Sequence, residues 1–131
     1  MANLLIIDLS EDNYFNQFNE SMYRITIGSG LGHKGRSDNA AYSCSKAGLW
    51  MLTRVLAQEL HKFNISVNEL IPGPVVTAMG DSSMKDSNSA FSVDSEWIKE
   101  PEDVTNLALF IANQPLVGPI GQSFSLMRRD L

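Results

Sequence analysis

Tyr42 and Lys46 stand four residues apart in the stretch Ala40-Ala41-Tyr42-Ser43-Cys44-Ser45-Lys46. On a helix, that spacing places both side chains on one face. A lysine held beside a tyrosine favours the ionised phenol, lowering a pKa that starts near ~10. A tyrosine so tuned exchanges a proton with an alcohol or carbonyl near neutral pH. Such pairs also arise by chance, and alone this one is weak. Two neighbours strengthen it. Ser29 ends a strand-like segment thirteen residues before Tyr42, where its hydroxyl could reach the same substrate oxygen, and Pro72-Gly73-Pro74-Val75-Val76-Thr77 closes the next such segment. Parallel α/β sheets take ligands outside the carboxyl ends of their strands, so three segments deliver polar groups to one rim.

The elements that must position these groups follow from pattern. A helix is expected from about Asn39 to Phe63, with Leu49, Leu52, Leu56, Leu60 and Phe63 at helical spacing and Gly48 as the single breaker. Ser37 or Asp38 is expected to cap its start, and His61 and Lys62 suit the negative end of its dipole. Before it, Arg24 to Ser29 reads as a strand opening into a glycine-rich loop, Gly30 to Gly35; after it, Ile65 to Ile71 reads as a second strand stopped by Pro72-Gly73-Pro74. Strand, long helix, strand is a βαβ crossover and so a parallel sheet. Residues 78–100 turn rich in Ser, Asp and Asn without period, the signature of a long loop. Pro101-Glu102-Asp103 then starts a helix to about Asn113, with Val104, Leu107, Ala108 and Ile111 on one face, and Gln122 to Leu126 supplies a last strand. The lead segment, residues 1–23, is ambiguous between a strand at Leu4 to Leu9 followed by a helix and a single helix.

Composition bounds the function classes. With 131 residues, 44% of them hydrophobic, the chain suits one domain with a core. A net charge of −5 argues against nucleic-acid or anionic-membrane partners. One cysteine excludes an internal disulfide framework and a multi-Cys zinc site, and no metal centre is expected. There is no apolar run of about 20 residues to span a membrane, and the start lacks the basic region of a signal peptide. The expectation is a soluble, cytoplasmic domain.

The stretches ITIGSGLGHKGRSDNAAYSCSKAGL, ISVNELIPGPVVTAM, EPEDVTNLALFIAN and GPIGQSFSL together resemble the catalytic half of the short-chain dehydrogenase/reductase family, in the flavour of its 3-oxoacyl-carrier-protein reductase-like members. The likeness runs from about Arg24 to Leu126, with four motifs in family order. It implies an α/β fold with a partial Rossmann-type, doubly wound parallel sheet and flanking helices. It also implies NAD(P)-dependent interconversion of a ketone and a secondary alcohol on a small-molecule substrate. By that resemblance Ser29 would hydrogen-bond the substrate oxygen, Tyr42 would be the general acid/base, and Lys46 would lower its pKa and hold the nicotinamide ribose. Pro72, Gly73 and Val75, with the Thr77 hydroxyl, would hold the nicotinamide end of NAD or NADP. The family's fourth catalytic residue is an Asn; Asn3, 26 residues ahead of Ser29, stands nearest its place.

The chain also departs from the pattern. Family members run to about twice this length, in keeping with two mononucleotide-binding halves, so it reads as one truncated domain whose first half is missing: residues 24–77 the catalytic βαβ, 78–100 a substrate loop, 101–131 the last helix and strand. The GxGxxG of Gly30-Leu31-Gly32-His33-Lys34-Gly35 is a decoy, because a dinucleotide fingerprint has an acid about 20 residues on at the end of the next strand, and here that distance falls inside the long helix. Cys44 reads as a small buried side chain, His33 as a solvated loop residue and His61 as a helix-end residue. Met79, Met84, Phe91 and Trp97 line an acyl pocket or pin the loop. Trp50, Met51 and Arg54 form an outer helix face suited to an oligomer interface.

Two functions stand: the nicotinamide-dependent oxidoreductase, and a non-catalytic remnant acting as an oligomerising or interaction module. An unrelated α/β binding domain requires the motif order to be chance. Both leading readings expect a homo-oligomer, since losing central strands exposes the edge of the Ser29 strand. Light scattering at micromolar concentration should give more than the monomer mass; a monomer contradicts it.

Overall fold

The computed structural model describes residues 22–77 and 97–127. In chain order these form β1 (Met22–Ile27), α1 (Gly30–Lys34), α2 (Ala40–Leu60), a 3₁₀ turn (His61–Phe63), β2 (Ile65–Ile71), α3 (Pro101–Ala112) and β3 (Ser123–Ser125). The strands make one parallel sheet in the order β1-β2-β3, with Met22 opposite Ile65, Ile27 opposite Leu70, and Ser123 opposite Glu69. This is the expected α/β arrangement of a parallel sheet with flanking helices.

Strand alternation divides the side chains between two layers. Thr26 faces α2, where its hydroxyl meets that of Thr53 at 2.7 Å. Ile65 and Val67 pack with Ala57 and Leu60 into a buried cluster, edged by Met22, Leu56 and Ile120. On the opposite face the Tyr23 hydroxyl donates to the Gln114 carbonyl just beyond α3, and Phe110 of α3 meets Phe124 of β3 edge-on at 6.1 Å between ring centres. β2, between the other strands and between the helical layers, is buried along its whole length.

Several boundaries differ from the sequence reading for physical reasons. β1 begins at Met22, inside the ambiguous lead segment, and ends at Ile27; Gly28 keeps one ladder bond beyond it, and Ser29, still extended, is already the cap of α1. The glycine-rich stretch is no loop: Ser29 caps a one-turn helix, its Oγ accepting the Leu31 N–H at 3.2 Å. Neither Ser37 nor Asp38 caps α2; the N-cap is Asn39, whose amide turns back to donate to the Ser37 carbonyl. Along α2 the buried line runs through Thr53, Ala57 and Leu60, leaving Leu52 and Phe63 exposed. Asn64, at φ 59°, ends the 3₁₀ turn in the left-handed conformation that Asn tolerates. α3 starts as expected: Pro101 occupies its first turn and the Asp103 carboxylate accepts the Glu100 N–H at 2.9 Å. Residues 78–96, with most of the expected substrate loop, and residues 1–21 lie outside the described residues; Trp97 to Lys99 are described, and Lys99 forms a parallel bridge with Val75.

α1 lies directly on α2 because Gly32 has no side chain. A Cβ there would stand 2.7 Å from the backbone carbon of Lys46, whereas one at Gly48 would meet nothing. Gly32→Ala should therefore cost about 1–3 kcal/mol in urea unfolding through overpacking. Gly48→Ala, in the interior of α2, should gain about 0.5–1 kcal/mol from helix propensity. Equal effects at the two positions would contradict this packing.

Candidate active site

The site is built on the carboxyl ends of β1 and β2. The Gly28 N–H continues the ladder to the Leu70 carbonyl at 2.8 Å, so the chain leaves both strands at one level. Ser29 leaves β1 as the cap of α1, and Pro72 leaves β2 into the turn Pro72-Gly73-Pro74, with Gly73 at φ 71°. A side chain at that φ is strained, which is what glycine avoids.

α2 brings Lys46 to the same place. Its ammonium donates to the Ile27 carbonyl, the last residue of β1, at 2.9 Å, and stands 5.8 Å from the centre of the Tyr42 ring. A carbonyl occupies one of its three N–H donors and fixes the head of a flexible side chain. Tyr42 and Lys46, both half-buried, continue the line of Leu49 and Thr53 along α2. Ser29 uses an oxygen lone pair in capping α1, and that bond leaves its hydroxyl hydrogen to donate elsewhere. The structure thus gathers Ser29, Tyr42 and Lys46 at the end of β1, with the turn after β2 alongside.

The turn presents backbone rather than side chains. Val75 pairs with Lys99 through its neighbours: the Val76 N–H donates to the Lys99 carbonyl at 2.8 Å and the Lys99 N–H to the Pro74 carbonyl at 3.0 Å. In an extended segment so bonded, the N–H and C=O of Val75 itself face away from Lys99. A donor and an acceptor so placed are what a flat carboxamide would need. Thr77 is exposed at the end of the segment, and Asn3 lies outside the described residues.

Several residues escaped or reversed the sequence reading. Cys44 is exposed on α2, not buried, since it lies off the inward face. His33 is no solvated loop residue: its Nε2 stands 3.0 Å from Glu69 Oε2 and its ring packs against Trp50, 4.6 Å between centres. Trp50, half-buried, also has the Arg54 guanidinium 5.8 Å from its ring centre, and Met51 is exposed. Glu69, unremarked in the strand, is fully buried, and its Oε2 also accepts the Ser123 hydroxyl. A Cβ at Gly28 would fall 1.8 Å from Glu69 Oε1, so the carboxylate occupies the space that a side chain would need. A Glu in a strand closed by Pro72-Gly73-Pro74, where a charge is rarely buried without a partner, was the available signal. Lys99 is also fully buried, donating to the Trp97 carbonyl at 2.9 Å, with nothing in the sequence to announce it. Among the described residues there is no cluster of three His, Cys, Asp or Glu suited to a metal ion, and no helix long and apolar enough to cross a membrane.

Known proteins resemble this arrangement. The family model of the short chain dehydrogenases matches residues 24–88. A curated relative, carbonyl reductase family member 4 of Xenopus laevis, is 36% identical over 93 residues, covering 71% of this chain and 39% of that protein. The 3-oxoacyl-[acyl-carrier-protein] reductase FabG of Chlamydia pneumoniae is 36% identical over 98 residues, covering 69% of this chain and 37% of its own length. A crystal structure of a putative NAD(P)-dependent gluconate 5-dehydrogenase from Beutenbergia cavernae, with bound NADP, superposes with a TM-score of 0.70 at 33% identity, covering 80% of this chain and 44% of that one. The chain thus spans about two fifths of the length of the curated relatives it matches.

Proposed function

We propose that this chain, which belongs to the short-chain dehydrogenase family, carries the catalytic part of an NAD(P)-dependent oxidoreductase that interconverts a ketone and a secondary alcohol. One observation above all supports the reading: Lys46 is anchored on the Ile27 carbonyl, beside Tyr42 and two residues from Ser29. A proton donor, a fixed cation and a hydroxyl then share one strand end, the outfit for acid/base work on a carbonyl oxygen.

In this reading the Ser29 hydroxyl donates to the substrate oxygen and orients it. Tyr42 gives its phenolic proton to that oxygen during reduction and takes it back during oxidation. The Lys46 ammonium favours the phenolate left behind and, with its remaining N–H donors, holds the ribose hydroxyls of the cofactor. Pro72, Gly73, Val75 and Thr77 receive the nicotinamide end, the first three through backbone and Thr77 through its hydroxyl. A bound nicotinamide supplies the hydride acceptor or donor. The support from relatives is that carbonyl reductase [NADPH] 2 of Sus scrofa, 33% identical over 103 residues, carries the cofactor in its name, and that the gluconate 5-dehydrogenase structure holds NADP. Asn3 belongs to the proposal as the fourth catalytic residue, and a homo-oligomer as its working form.

Titration with NADH and then NADPH, followed by nicotinamide fluorescence, should give saturable enhancement. In a preparation that turns over a ketone, Tyr42→Phe should lower kcat about 10²–10⁴-fold, the usual worth of a positioned acid/base. Unchanged turnover in that variant overturns the assignment of Tyr42. No enhancement up to millimolar cofactor removes the support for nicotinamide binding by this chain and favours the interaction module.

A further inference from the structure

The geometry points to Glu69 and His33 as positioning residues, a carboxylate on β2 and an imidazole on α1 that together fix where the Ser29 hydroxyl stands. The inference rests on the proposed role of Ser29.

α1 has five residues, too few to hold a helix by itself. Its first turn is the one Ser29 caps, and its last turn carries His33. The helix is held on two sides. Gly32 lets it touch the α2 backbone at Lys46, and His33 ties it to the sheet through Glu69 Oε2 at 3.0 Å. Tilted packing against Trp50, at 41° between ring planes, sets the orientation of the His33 ring, so the bond has a direction as well as a length. Upstream, the Gly28 N–H is fixed on the Leu70 carbonyl. Ser29 is therefore clamped between a backbone bond on one side and the His33–Glu69 pair on the other.

Stability does not explain this arrangement. Glu69 is 0% exposed, and while Oε2 accepts from His33 and Ser123, Oε1 has no hydrogen-bond partner among the described residues. A buried carboxylate with one oxygen unsatisfied is a net cost, and an apolar side chain would fill the place between Val67 and Ile71 more cheaply. The cost also extends to Gly28, which must remain without a side chain to admit Oε1. What an apolar residue cannot supply is a fixed distance from the sheet to the last turn of α1. Ser123 extends the link to β3, so three elements share one oxygen atom.

The test is amide hydrogen exchange by NMR on the full chain, comparing wild type with Glu69→Gln and His33→Gln. The amides of Leu31, Gly32 and Gly35, which bond to Ser29 Oγ, the Ser29 carbonyl and the Leu31 carbonyl, report on α1. They should exchange about tenfold faster or more in both variants, while the amides of Ala57 and Leu60 change less than about threefold. Equal acceleration in α1 and α2 would mean a merely structural role and overturns the proposal, as does no change in α1. Should Glu69→Gln fail to fold, His33→Gln decides alone, since its side chain lies at the edge of the core. In a preparation with turnover, Glu69→Gln should lower kcat about 10–100-fold with cofactor KM within about twofold. Adding it to Ser29→Ala should then cost nothing further, and additive losses overturn the coupling. Unchanged turnover in Ser29→Ala would instead remove the catalytic role of Ser29 and leave the exchange result standing.

Discussion

No residue of β2 reaches solvent, and that constraint governs the rest of the molecule. A strand paired on both edges and covered on both faces must satisfy every polar group internally. This one carries three polar side chains among seven residues, Ser66, Asn68 and Glu69. Asn68 donates to the Pro119 carbonyl at 2.8 Å and accepts the Gln122 N–H at 3.0 Å, clipping the segment before β3 onto the sheet. Ser66 reaches the same Pro119 carbonyl, at 3.5 Å. Glu69 ties α1 and β3 together on the opposite face. The apolar residues of β2 supply the burial, and its polar residues decide which loops must come to it.

The same logic explains why the rim at the ends of β1 and β2 is well defined. Parallel pairing aligns the strand ends, with Ile27 opposite Leu70, and the chain leaves both strands in one direction. α2, the crossover between them, returns over β2 through Ala57 and Leu60, and its opening turns fall over the end of β1. Tyr42 and Lys46 are thereby carried to Ser29 by the connection that the parallel pair requires.

Much of this was legible in the residues. β2 could be read to the residue because a segment holding Ile65, Val67 and Ile71 is closed by Pro72-Gly73-Pro74, and α3 because Pro101, Glu102 and Asp103 announce a helix start. The Tyr42–Lys46 spacing on one helix and the strand leading to Ser29 were legible in the same way. What escaped were tertiary facts. The helix at Gly30 to Lys34 has too little length for a periodic signal and exists through its contacts with Lys46 and Glu69. Ser37, Asp38 and Asn39 all suit a cap by residue type, and only the turn geometry, with Asp38 at φ 61°, makes Asn39 the one that precedes α2. The pairing of His33 with Glu69 joins residues 36 positions apart and has no local trace.

The short strand β3 shows what such polar ties do to local opening. Three residues of ladder would ordinarily fray at little cost. Here, detaching β3 would strip Ser123 from Glu69 and Gln122 from Asn68, stranding two buried polar groups at the centre of the sheet. The end of the ladder is thus coupled to its middle. The last strand thereby gains a resistance to unzipping that its length alone would not give it.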